Sequence, residues 1–320
     1  MTLRSLVGVR NVPRTLELLA RVKILAAMTV GFEEAVGYGQ VGGLANMFAQ
    51  LLYKELNLQN KDIVDVFNML NKETVFRLDA YSAWKGLVRD EGGKGKAFYL
   101  VGRECPVRQI LYQEGLPPGR LLCNFMCAFL EKIFSEKLGG KYKVSLARYG
   151  PNACLLRVAI ISGSPPPENF ISISEEPSVE EYANKLLEMY DVMIRAVTDA
   201  LYKLLGNNPA MGYRIGKTYG IHDGEHTLAE IGITVGLESA VEYFNEYHRR
   251  LVELELDKDI LNVRTSLIHN IVDNIGLEHS AAVYRVVQGY IAGVLSALTG
   301  KNIDVRAVDE EARKLKLYVR

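Results

Sequence analysis

The chain has 320 residues, 48% of them hydrophobic, with 38 Lys+Arg against 38 Asp+Glu. A balanced charge leaves no global field for nucleic acid, so that partner is not expected. The composition is that of an ordinary soluble globular protein, and the length suits about two domains. Apolar runs such as 24–30 are too short to span a bilayer, and the N-terminus shows no signal-peptide pattern, so the expected compartment is the cytoplasm.

Residues 1–14 carry Arg4, Arg10 and Arg14 and no acid, and read as a basic arm. Apolar residues at three-to-four spacing predict helices from Thr15 to the glycine-rich interval at Gly31–Gly43, over 44–56 and over 62–71. The period then shortens, and 74–87 and 97–101 read as a hairpin around the turn at 90–95. A short helix follows at 105–114, then a turn at 115–119, then a long helix at 122–138 ended by Gly139-Gly140. Strands at 143–148 and 153–161 close this half. Ser162–Pro167, with three consecutive prolines, reads as an extended spacer, which sets the expected domains at 1–161 and 178–320 with a linker at 162–177.

The second half restarts behind a capping box, Ser178 with Glu181, and a helix over 178–205. Gly212 and Gly216, four apart, predict a helix whose backbone lies close to another. Gly39 and Gly43 form a similar pair. A helix at 227–250, a hairpin of 251–257 with 260–266, a long helix at 279–298 and strands at 303–308 and 315–320 complete the chain. Sliding the sequence by 161 residues lays 100–158 on 261–319 without a gap, with ten identities, among them Gly115/Gly276, Ser135/Ser296 and Gly139/Gly300. A period of half the chain implies two domains rather than a solenoid. The expected fold is therefore α+β: two tandem copies of an antiparallel sheet covered by helices, pairing as an internal pseudo-dimer, with a further homodimer left open.

No catalytic constellation emerges. Cys105, Cys123, Cys127 and Cys154, with Glu104, are the only soft-metal set, and Cys123 and Cys127 share a helical face. Zinc usually takes tighter ligand spacing, so free buried thiols are expected and no cofactor is assigned, zinc being the alternative. His222 and His226 are four apart, but Gly224 between them predicts a solvated turn. Gly37–Gly43 follows a helical run rather than a strand and lacks the acidic residue of a dinucleotide site. Aromatic residues at Trp84, Phe125, Phe129, Tyr213, Tyr219, Tyr284 and Tyr290 fall where helices should face the sheets. They read either as core or as the wall of an apolar ligand pocket.

The order of paired-glycine helix, hairpin, helix and hairpin, with Cys123 before the long helix and Gly150-Pro-Asn-Ala-Cys154 between the last strands, resembles the 4-vinyl-reductase domain. That fold is shared with TRAPP vesicle-tethering subunits. The resemblance implies an apolar pocket for small aromatic, hydrocarbon or lipid-like ligands, and in some members cysteine-bound zinc. The chain departs from the zinc pattern: Leu146 stands where those members have a cysteine, and Tyr284 and Leu315 replace Cys123 and Cys154 in the second half. The expected function is non-enzymatic binding or sensing of a small molecule. The alternative is a scaffold that binds protein partners through its helical surfaces.

Overall fold

The computed structural model describes residues 16–81, 87–91, 95–150, 153–171, 177–206, 208–248, 251–277, 280–309 and 313–320. The arginine arm, Trp84, the tip of the 90–95 turn, Pro151-Asn152 and the start of the helix expected at 279 lie outside the described residues. In chain order the helices are α1 (Leu16–Val36), α2 (Val41–Glu55), α3 (Ile63–Glu73), α4 (Pro106–Gln113), α5 (Leu121–Leu138), α6 (Val179–Leu205), α7 (Pro209–Ile231), α8 (Leu237–His248), α9 (Leu267–Ile275) and α10 (Ser280–Thr299). The strands are β1 (Arg77–Ala80), β2 (Arg89–Asp90), β3 (Lys96–Glu104), β4 (Gly140–Tyr149), β5 (Cys154–Gly163), β6 (Val252–Asp257), β7 (Ile260–Ser266), β8 (Ile303–Ala307) and β9 (Lys314–Val319). The protein is α+β, with two antiparallel sheets. Among the described residues one helix, at Ala281–Thr299, is long and apolar enough to cross a membrane, and 78% of its apolar stretch is buried inside the fold.

The chain divides into two compact units. One is Gly42–Ala196; the other joins 16–41 to Val197–Arg320. Helix α1 thus belongs to the second unit, and α6 is divided between the two. The proline-rich segment expected to be a linker lies inside the first unit, and it carries an anchor. Phe170 is fully buried, with its ring 5.1 Å from that of Phe67 and 6.0 Å from that of Phe98.

In the first unit the strand order is β1-β3-β5-β4, with β2 also on β3. Alternate residues of β3 and β5 face the helices, so Phe98 lies opposite Val158 and Leu100 opposite Leu156. Helix α5 buries Phe125, Phe129, Ile133 and Phe134, spaced at three to four residues. Phe134 meets Phe98 edge-on at 5.2 Å and Phe67 at 5.5 Å. Each such pair adds about 0.5–1.5 kcal/mol to the area it buries. Asp62 caps α3 by accepting from the Asp65 amide at 2.8 Å.

In the second unit the strand order is β6-β7-β9-β8, the same permutation of two hairpins. Both units carry one further device in common. Asn71 of α3 donates to the Leu78 carbonyl and accepts from the Leu78 amide, both at 2.9 Å. Asn245 of α8 does the same to Leu254, at 2.7 and 2.8 Å. In each case a helix side chain pins the first strand of the sheet.

The glycine series of α7 is used as expected, and it runs further than the pair noticed in the sequence. A Cβ on Gly216 would lie 1.8 Å from the Val286 carbonyl oxygen, and one on Gly220 would lie 2.2 Å from that of Tyr290. Gly289 and Gly293 of α10 answer from the other side. Gly224 belongs to the same series: its Cβ would sit 2.9 Å from the Val294 Cα. The turn expected at His222–His226 is therefore the middle of α7, because Gly224 is there to admit a neighbouring helix rather than to bend the chain. By contrast, a Cβ on Gly39 or Gly43 would meet nothing within 4 Å. The helix expected over 227–250 is two helices, interrupted where Gly232 adopts φ 85° at the end of α7.

Candidate functional site

The first unit contains a cavity of about 140 Å³. An engineered cavity of roughly 150 Å³ with apolar walls stays dry and takes up benzene, so this space suits a single aromatic ring. Its walls come from six elements and the turn after α4. Helix α5 presents Cys123, Met126, Cys127 and Leu130, one face at three-to-four spacing. Helix α4 and its N-cap present Cys105, Val107, Arg108 and Leu111. The sheet contributes Leu78, Gly102, Leu146, Tyr149, Cys154 and Leu156, and the turn contributes Leu116 and Pro118. Almost all of this lining is carbon and sulfur.

All four cysteines, distant in sequence, meet at this one space, and all four are free. Burial pushes the Cys105 thiol up, and it pushes Cys123 and Cys127 up to about 12. Three of the four are thereby held as neutral thiols at physiological pH, polarizable walls rather than nucleophiles or ready metal ligands. Among the described residues no group of three or more His, Cys, Asp or Glu is placed to hold a metal ion.

The aromatic residues singled out in the sequence lie elsewhere. Phe125 and Phe129 are fully buried on the neighbouring face of α5. There Phe125 stacks on Phe48 at 4.2 Å and Phe129 lies 6.1 Å from Phe76. Of that aromatic cluster only Phe76 reaches the cavity. Bulky rings fill the space they face; the opening occurs where α5 turns cysteine and methionine inward. Arg108, Leu111, Met126 and Tyr149 went unnoticed in the sequence. The available signal was Arg108, the lone charge of α4, one turn before Leu111.

In the second unit the tyrosines build a polar core. Lys23 of α1 donates to Asp223 Oδ1 at 2.8 Å, and the Tyr290 hydroxyl donates to Oδ2 at 2.5 Å. His248 Nδ1 lies 3.3 Å from that hydroxyl, and since the hydroxyl proton goes to Asp223, Nδ1–H is the donor. Burial lowers His248 to about 4, against the opposing pull of Asp223. Burial also penalises the charge on Asp223, but Lys23 and then His248 outweigh it and hold the carboxyl below its usual range. Tyr219 is buried 6.0 Å from Tyr290. Lys23, Asp223 and His248, with exposed His226, border an open cleft of about 930 Å³. His222 and His226 face each other edge-on at 4.9 Å. Tyr213 ties α7 to β8, donating to Asp304 and accepting from the Val305 amide, both at 3.1 Å. Tyr284 stacks on fully buried His269 at 5.0 Å and donates to Asp273. A small space beside α1, α9 and α10 measures about 20 Å³, room for about one water. No family model, curated protein or solved structure matches the chain.

Proposed function

We propose that the chain binds a small apolar or aromatic molecule in the cavity of the first unit, and acts by binding rather than by catalysis. The observation that carries this is the cavity itself: a benzene-sized space walled almost entirely by carbon and sulfur. A scaffold whose helical surfaces alone did the work would gain from packing that space shut, since a void forfeits contacts and costs stability.

We also read the two units as tandem copies of one domain, of the 4-vinyl-reductase kind that the motif order resembles. Three features support this. The strand permutation is the same in both sheets. The aligned glycines share backbone conformations that disfavour any side chain: φ is 64° and 66° at Gly115 and Gly276, and 68° and 65° at Gly139 and Gly300. The asparagine clamps match as well. They stand 174 residues apart, while the repeated block is offset by 161. Fifteen residues separate Ala80 from Lys96 and two separate Asp257 from Ile260, a difference of thirteen that accounts for the change of offset.

On this alignment Tyr284 stands for Cys123 and His269 for Arg108. The stacked pair Tyr284–His269 occupies with side chains what Cys123 and Arg108 leave open, so a single binding site per chain is expected.

Native mass spectrometry of the purified chain should show a retained small molecule, or titration with toluene should raise the melting temperature. Cys123→Tyr, which installs the residue of the second copy, should abolish either signal while the protein still unfolds cooperatively. A wild-type chain that is ligand-free and indifferent to benzene, toluene and indole would sink the proposal.

A further inference from the structure

We propose that the occupant of the cavity is an acid, with a ring-sized apolar body and one carboxylate that pairs with Arg108. This rests on the reading of the cavity as a ligand site and names the class of ligand. Arg108 lines the cavity and is only 6% exposed. Its Nη1 donates to the Arg103 carbonyl at 2.7 Å and its Nη2 to the Gly102 carbonyl. Its Nε has no hydrogen-bond partner. No carboxylate forms an ion pair with it among the described residues. Asp79, on β1, is paired with Arg103 instead.

A guanidinium cannot escape this position by losing its proton, as a lysine or histidine would. It therefore carries a full positive charge beside walls of leucine, valine, methionine and thiol. Two peptide carbonyls satisfy two of its five N–H groups without neutralising it. Buried charges are ordinarily paired, because an unpaired one is costly in so apolar a setting. The thiols cannot serve, since burial keeps Cys105, Cys123 and Cys127 protonated. A ligand carboxylate would supply the missing charge, and a planar guanidinium suits a planar carboxylate. A phosphate ester would bring a second charge to a wall with one cation. The volume of about 140 Å³ restricts the body to one ring with a short acid arm, of the benzoate or phenylacetate class.

The test uses the full-length wild-type chain and matched probes by calorimetry: toluene, benzoate and phenylacetate, with benzamide and phenylacetamide as neutral isosteres. The acids are expected to bind at least tenfold more tightly than their amides. Arg108→Met should erase that preference, bringing the acids to the affinity of their amides, and Arg108→Lys should retain part of it. If toluene binds but the acids bind no better than the amides, the inference fails and the apolar site stands. If no probe binds, the site reading fails and takes the inference with it. Should Arg108→Met not fold, as judged by near-ultraviolet circular dichroism, the acid-against-amide comparison on the wild type decides alone.

Discussion

At Cys123 and Cys127 the environment overrides the chemistry usual for the side chain. Burial moves both thiols from 9.0 to about 12, so at pH 8 their thiolate fractions fall on the order of a thousandfold. Alkylation of these two by iodoacetamide should be slower by at least that factor in the native chain than in urea, read by peptide mass spectrometry. The same shift sets a pH dependence. A folded value above the unfolded one stabilises the fold fully below pH 9, and the contribution is lost as pH rises toward 12. The melting temperature should therefore fall more steeply above pH 9 in the wild type than in a Cys123→Ala/Cys127→Ala variant. His248 works at the other end. Its folded value of about 4 lies below the ordinary 6.5, so its contribution is present above pH 6.5 and lost as pH falls toward 4. Asp223, also held low, loses its contribution in the same direction. Replacing His248 with Phe should flatten the stability profile between pH 6.5 and 4 in chemical denaturation. An unchanged slope would mean that the imidazole is already charged in the fold.

Among the secondary-structure elements, α7 and α10 are set by what they lack. Their backbones approach so closely that Gly216 and Gly289 have carbonyl oxygens within 2 Å of where a Cβ would stand. Gly216→Ala should destabilise the chain by about 1–3 kcal/mol or more in urea titration. Gly212→Ala meets the Arg285 Cβ at 3.2 Å and the Ala282 carbonyl oxygen at an ordinary 3.5 Å, and should cost far less. Equal losses at the two positions would remove the close-packing account. The pair Gly212–Gly216 was legible in the sequence, because a spacing of four marks one helical face, but the same spacing at Gly39 and Gly43 meets no neighbouring helix. Gly224 was misread because the same residue serves turns and tight helix contacts, and only a partner helix tells them apart. The hairpins and long helices were legible for the ordinary reason: their apolar residues repeat at two or at three to four. The asparagine clamps were not, since Asn71 and Asn245 look like any polar residue near a helix end.

For the whole molecule, the cut expected at 162–177 and the division of the fold do not coincide. Helix α1 belongs to the second unit, where Leu18, Val22, Leu25, Val30 and Phe32 are buried and Gly31 lies against the Ile215 carbonyl of α7. A fragment of 178–320 lacks that helix and would expose the surface it covers. It should be insoluble or lack cooperative unfolding when expressed alone, and recover on co-expression with 1–41. Cooperative unfolding of the lone fragment, seen by calorimetry, would contradict this. Composition and linker chemistry could not announce this arrangement, because a proline run signals an extended backbone and says nothing of which helix covers which core. Phe170 shows the difference: it follows the prolines, yet it is buried among Phe67, Phe98 and Phe134.

Local periodicity and turn chemistry were enough to establish the α+β class, the hairpins and most of the helices, because these depend on residues near one another in the chain; they missed α9 and the division between α7 and α8. The location of the cavity depends on which side chains from six separate elements fail to fill a common space, and no local pattern records an unfilled volume. Aromatic residues drew attention because they are large, and for that reason they pack solid. The opening is left by Cys123 and Cys127 on α5, and its one charge by Arg108 on α4. Their neighbours in space, rather than in sequence, make those thiols neutral and that charge unpaired.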